Sequence, residues 1–127
     1  MTTWWFRMAG GLCVLGVAAH EVLGAPMVLP PLSETALPDE VVWLHHFSWH
    51  VGSIAVIAMA YLYFHASQRP ENVHSAVVAT TMSLGFALLG PGLAILGNGA
   101  LWGTPAPYLW AVVCIAGALG IWRTRTG

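Results

Sequence analysis

The chain is dominated by four long apolar stretches with few polar breaks between them, at positions 4–23, 41–65, 73–97 and 104–122. A helix needs roughly 20 apolar residues to cross the hydrocarbon of a bilayer. Inside hydrocarbon every backbone N–H and C=O must find a partner within the protein, which favours helices. A membrane β-barrel would need alternating segments of about ten residues, and none occur. Charged residues are only 7% of the 127 residues and hydrophobic ones 57%, against about 25% charged in ordinary soluble domains. The expected fold is all-α: one integral membrane domain over 1–127, an antiparallel four-helix bundle.

Segment 24–40 holds Pro26, Pro30, Pro31 and Pro38, so it is expected as a stiff, extended, Pro-rich loop over one mouth of the bundle. A cleaved leader would need a small-x-small site. Here His20 and Glu21 interrupt the end of the first span, and Pro26 follows the one small pair, Gly24-Ala25. The first span is therefore expected to stay as a membrane helix.

Arg7, Arg69, Arg123 and Arg125 are the only basic Lys/Arg residues. With four spans they all fall on one side, and the two loops on the other side carry Glu34, Asp39 and Glu40 instead. By the positive-inside rule both termini are cytoplasmic, and a bacterial inner membrane is the expected location. Trp4, Trp5, Tyr61, Tyr63 and Trp122 would form the inner aromatic belt. Trp43, Trp49, Trp102, Tyr108 and Trp110 would form the outer one. The net charge of −1 and the lack of a basic cluster large enough to grip phosphates exclude nucleic acid as a partner. The bilayer is the partner, with a larger membrane complex or a homo-oligomer as further classes.

Small residues recur at helical spacing and mark the faces where helices can approach closely. They are Ala9, Cys13, Gly16 and His20 in the first span, and Ala76, Thr80, Ser83, Ala87, Pro91, Ala94 and Asn98 in the third. Gly117 and Gly120 do the same in the fourth. Pro91, between Gly90 and Gly92, is expected to kink the third helix. Cys13 and Cys114 read as packing residues, since no CxxC or Cys/His zinc spacing exists.

Polar chemistry gathers at the end away from the arginines. His20 and Glu21 lie near the end of the first span, and His45, His46 and His50 in the first turns of the second. His46 and His50 are four apart and share a face, which Ser53 continues. Ionisable groups inside a membrane segment are costly and usually mark function. Imidazoles with a carboxylate suit zinc, copper or iron, so His20, Glu21, His45, His46 and His50 form a candidate metal set. His20 with His46 or His50 is also a candidate axial pair for haem b, as in membrane cytochromes. Asn98, Tyr108 and Ser53 are the expected supporting residues around the ligands. Two other readings compete. In one, the His/Glu/Asn network is purely structural, in a non-catalytic membrane subunit. In the other, His and Glu relay protons, although the inner half offers only Thr80, Thr81 and Ser83 to continue a path. His65 and His74 flank the loop with Arg69 and Glu71 and are expected to be interfacial. No G-x-S-x-G, GxxxxGK[ST], H-E-x-x-H or GxGxxG occurs, so no catalytic signature defines an enzyme.

Overall fold

A computed structural model describes residues 2–126. Four helices long and apolar enough to cross a membrane make up almost all of the described chain, with no strand among these residues. Helix α1 (Thr2–Ala19) passes through a π turn (His20–Gly24) directly into α2 (Ala25–Ser33). Helices α3 (Asp39–Ala66), α4 (Val73–Leu96) and α5 (Ala106–Thr126) follow, joined by short 3-10 turns at Pro70–Asn72 and Gly99–Gly103. Neighbours in sequence pack together, and α5 closes the ring against α1.

The expected extended loop at 24–40 is helical through Ser33, and only a short break precedes α3. The prolines shape this helix rather than ending it. Pro26 has no N–H for the carbonyl four residues back, and its ring crowds that oxygen in a regular α-helix. The turn just before it widens, and Ala25 N–H bonds instead to His20 O. Pro30 and Pro31 lie inside α2 and withdraw two more donors, which is tolerable where water can solvate the freed carbonyls. Pro38, in an extended conformation, starts α3. Its carbonyl accepts from Val41 N and Val42 N, and Asp39 and Glu40 in the first turn complement the helix dipole.

Close approaches define the packing. Phe6 lies against Gly120, where an added Cβ would come within 2.6 Å of its Cδ1. Gly16 faces Leu109, and Gly90 faces the backbone of Pro107, where a Cβ would stand 2.8 Å from the proline Cα. Pro91 lies inside an α4 that runs unbroken from Val73 to Leu96.

Tyr63 joins three helices at the centre. It is fully buried, and its hydroxyl pairs with Thr80 Oγ1 at 3.1 Å and Ser83 Oγ at 3.2 Å. Gly117 of α5 leaves room for that hydroxyl. Tyr63 therefore belongs to the core and not to an interfacial belt, because two hydroxyls of α4 satisfy its polar end there. Cys13, Met59, Val113 and Ala116 pack in the same core.

The helices differ in length. Helix α5 has 21 residues, about 31 Å at 1.5 Å per residue, which matches a hydrocarbon core of about 30 Å. Helix α3 has 28 residues. Because Tyr63 is level with Gly117 and Gly16 with Leu109, the excess of α3 and of the α1–α2 rod lies at the end away from the termini. The α2–α3 hairpin rises there by roughly a dozen residues, about 18 Å, beyond the start of α5.

Candidate functional site

The most developed polar constellation lies where α1 gives way to the π turn, beside the middle of α3. Glu21 Oε1 accepts a hydrogen bond from Ser53 Oγ, and a second from His50 Nδ1 at 3.2 Å. His50 and Ser53 are three apart on α3 and so point toward the same neighbour. Ser53 is buried, while the side chains of His50 and Glu21 are 53% and 33% exposed. The pair is therefore covered on the Ser53 side and partly exposed on the other. A carboxylate that accepts a hydrogen bond from Nδ1–H selects that imidazole tautomer and leaves the Nε2 lone pair free.

His20 stacks flat on the Trp49 ring, with centroids 3.8 Å apart and planes 10° from parallel. Gly24 permits this, since a Cβ there would stand 3.0 Å from Trp49 Cζ2. Trp49 Nε1 is buried without a hydrogen-bond partner. The π turn thus sets two consecutive side chains, His20 and Glu21, against α3. Such turns occur disproportionately at functional sites. By the α5 ruler the constellation is level with the start of α5.

The remaining candidates lie elsewhere. His46 leans against Trp43, ring centroids 5.0 Å apart. His45 is exposed, and its Nδ1 turns back to Val41 O at 2.8 Å. Asn98 Oδ1 accepts from Ala100 N at 2.9 Å, and Tyr108 donates to Trp102 O at 3.0 Å. Both are exposed and tie the α4–α5 connection rather than supporting imidazoles. At the opposite end His65 Nδ1 pairs with Ser75 Oγ at 3.0 Å and His74 is exposed. Among the described residues no group of three or more His, Cys, Asp or Glu side chains comes together as a metal site. The full set of His20, Glu21, His45, His46 and His50 is not gathered at one point, and His20 packs on Trp49 instead of facing another histidine. Trp49, expected in the outer aromatic belt, also supplies the surface on which His20 stacks. Its position beside His50 was the available sign of its place in the site.

The chain is similar to the phosphatidylglycerol–prolipoprotein diacylglyceryl transferase of Bordetella bronchiseptica. They are 34% identical over 102 residues, covering 79% of this chain and 38% of the transferase. The enzyme of the same name from Ruegeria pomeroyi is 32% identical over 102 residues, covering 79% and 34%. The chain thus spans little more than a third of the length of the curated relatives it matches. No family model matches it, and no solved structure does. The chain is a membrane-helical protein with bacterial membrane-enzyme relatives.

Proposed function

We propose that this protein binds a phospholipid of the bacterial inner membrane at the partly exposed Glu21–His50 pair between the π turn and α3, with His50 as a hydrogen-bond acceptor toward the bound headgroup. The termini are cytoplasmic in this reading, which puts the pair in the outer leaflet. The observation that carries it is the Glu21–His50 pair, a carboxylate-held imidazole that is partly exposed. Ser53 holds the same carboxylate oxygen from below. His46 and Ser53 flank His50 on one face of α3, a polar track down which a headgroup or its ester oxygens can reach Nε2. Glu21, by holding Nδ1–H, makes Nε2 the better acceptor of a hydrogen bond from a headgroup hydroxyl. The relatives' name, which includes phosphatidylglycerol, supports a phospholipid as the ligand class.

The test is photocrosslinking in nanodiscs with a phosphatidylglycerol carrying its photoreactive group near the headgroup. Crosslinks should concentrate on peptides containing Glu21 and His50, and fall about tenfold in His50→Ala. That factor corresponds to about 1.4 kcal/mol, the upper end for one lost hydrogen bond. Crosslinks spread evenly over lipid-facing α4 and α5 would refute the reading. A transition metal (zinc, copper or iron) is the second reading, favoured by a carboxylate and an imidazole already 3.2 Å apart. It needs His20 to swing off Trp49 as a third donor. Elemental analysis of the purified protein decides it: one metal per chain, lost in His50→Ala, would favour the metal.

A further inference from the structure

Across the ring of helices from the Glu21–His50 pair, α4 and α5 pack closely and yet leave a cavity of about 160 Å³ between them. Its cause is local. Gly90 of α4 sits against Pro107 of α5, where a Cβ would stand 2.8 Å from the proline Cα. That contact fixes the two backbones at one point. Beside it Leu89 and Leu93 splay outward, half exposed, and leave the space next to the glycine unfilled. Phe86 and Trp110, ring centroids 5.1 Å apart, line the end nearer the termini, and Leu101 and Ala106 line the other. From Phe86 to Leu93 is about 10 Å of helix axis at about 1.5 Å per residue. Among the described residues no charged or hydroxyl-bearing side chain lines the cavity. Its α4 and α5 walls both belong to spans long and apolar enough to cross a membrane.

We propose that this cavity is a slot for one acyl chain of a bilayer phospholipid, entered from the lipid side between Leu89 and Leu93. An apolar cavity of this size stays dry, and about 150 Å³ takes a benzene-sized guest, so there is room for about six carbons. Left empty, the walls forfeit their dispersion contacts. The mouth is about one helical turn tall, roughly 5 Å, whereas a helix with its side chains is about 10 Å across. A single chain can enter it and a partner helix cannot. Trp102 and Tyr108 are exposed just beyond Leu101 and Ala106, and amphipathic rings of this kind sit at headgroup depth. The segment held is therefore the part of the chain nearest its ester. The slot reads the chain and not the headgroup, and it does not depend on the Glu21–His50 pair.

The experiment uses the full chain in phosphatidylcholine nanodiscs doped with a phosphatidylcholine that carries a diazirine in the upper third of one acyl chain. The choline headgroup has no hydroxyl for His50 Nε2 to accept from, so this result and the headgroup reading stand or fall separately. After irradiation, crosslinks should fall on segments 86–93 and 101–110 about tenfold more densely than on Val112 and Ile115, which are similarly exposed on α5. That factor is the one expected of about two buried methylenes. Ala106→Leu and Leu89→Phe fill the slot from opposite walls, which keeps the test independent of how either one packs. Each should cut the excess about tenfold while unfolding in lipid-free detergent no earlier than the wild type, since both add contacts to an empty space. Ile115→Phe, outside the slot, should leave the crosslinking unchanged. Equal crosslinking of the slot and the open face of α5, or an excess that survives both filled variants, would overturn the proposal. A dimer mass by native mass spectrometry that Ala106→Leu abolishes would give the slot to a second copy of the chain and overturn it as well.

Discussion

Gly117→Ala is the substitution with the sharpest expected outcome. The added methyl would meet Thr80 Oγ1 and would stand 2.5 Å from the Tyr63 hydroxyl and 3.0 Å from Tyr63 Cε1. Tyr63 is fully buried and has no free space to retreat into, so its ring must shift and its bonds to Thr80 and Ser83 lengthen. Overpacking a well-filled core costs about 1–3 kcal/mol. Two weakened hydrogen bonds within the membrane add about 0.6 kcal/mol each. Alanine returns about 0.5–1 kcal/mol through its better helix propensity. The net loss is about 2 kcal/mol. Gly85→Ala is the matched control, since a Cβ there meets nothing within 4 Å. It should be neutral or slightly stabilising. Thermal unfolding in a mild detergent, followed by circular dichroism, reads both. Removing the hydroxyl by Tyr63→Phe should relieve part of the clash, so the double variant Tyr63→Phe/Gly117→Ala should lose about 1 kcal/mol less than the two single losses added together. If Gly117→Ala unfolds at the same temperature as Gly85→Ala, the packing argument for this junction is wrong.

Three further outcomes follow from the same structure. Trp49→Phe keeps an aromatic face for His20 and removes an indole N–H that is buried without a partner; the stability read from the unfolding midpoint should stay level or rise, by up to about 1 kcal/mol, and a clear drop would mean that the N–H is paired in the membrane. Ser53→Ala takes one of two donors from Glu21 and should cost about 0.6 kcal/mol, measured in the same melts, while Glu21→Ala should cost more because it strands both donors. With Cys13 and Cys114 replaced by alanine, a cysteine introduced at Ser33 should react with an impermeant maleimide added to intact cells; reaction only after lysis would reverse the proposed orientation.

The four spans were legible because twenty apolar residues in a row have few other uses, and the structure places their ends within a few residues of the pattern, apart from the first. That exception is instructive. Residues 24–33 carry no charge and three prolines, and hydropathy is the same whether such a stretch is coiled or helical. What decides is the register change at His20–Gly24, which lets the helix pass Pro26 and which hydropathy does not carry. The inward faces were readable: Ala9, Cys13, Ala76, Ser83 and Ala94 are all buried, since only small side chains let helices approach. Tyr63 was misplaced because a tyrosine near a helix end looks interfacial until its hydroxyl partners on another helix are known. The convergence of Glu21 with His50 and Ser53 depends on the rotation of α1 against α3. The shared face of His50 and Ser53 follows from their spacing, but the partner facing them does not. Asn98 and Tyr108 look like site residues by depth alone, and they satisfy their hydrogen bonds within a few residues of themselves.

The unequal heights of the helices bear on the bilayer as well as on the protein. A membrane that fits α5 leaves the upper α1–α2 rod, with its exposed apolar Met27 and Val28, beyond its hydrocarbon, so the surrounding lipid meets different apolar heights on the two flanks. Each ångström of mismatch costs a fraction of a kcal/mol, which is enough to tilt the molecule or to gather longer acyl chains on its taller side. The position and orientation of this protein should therefore respond to the thickness of the membrane that holds it, with the headgroup plane rising or sinking past Glu21 as the chain length of the lipids changes.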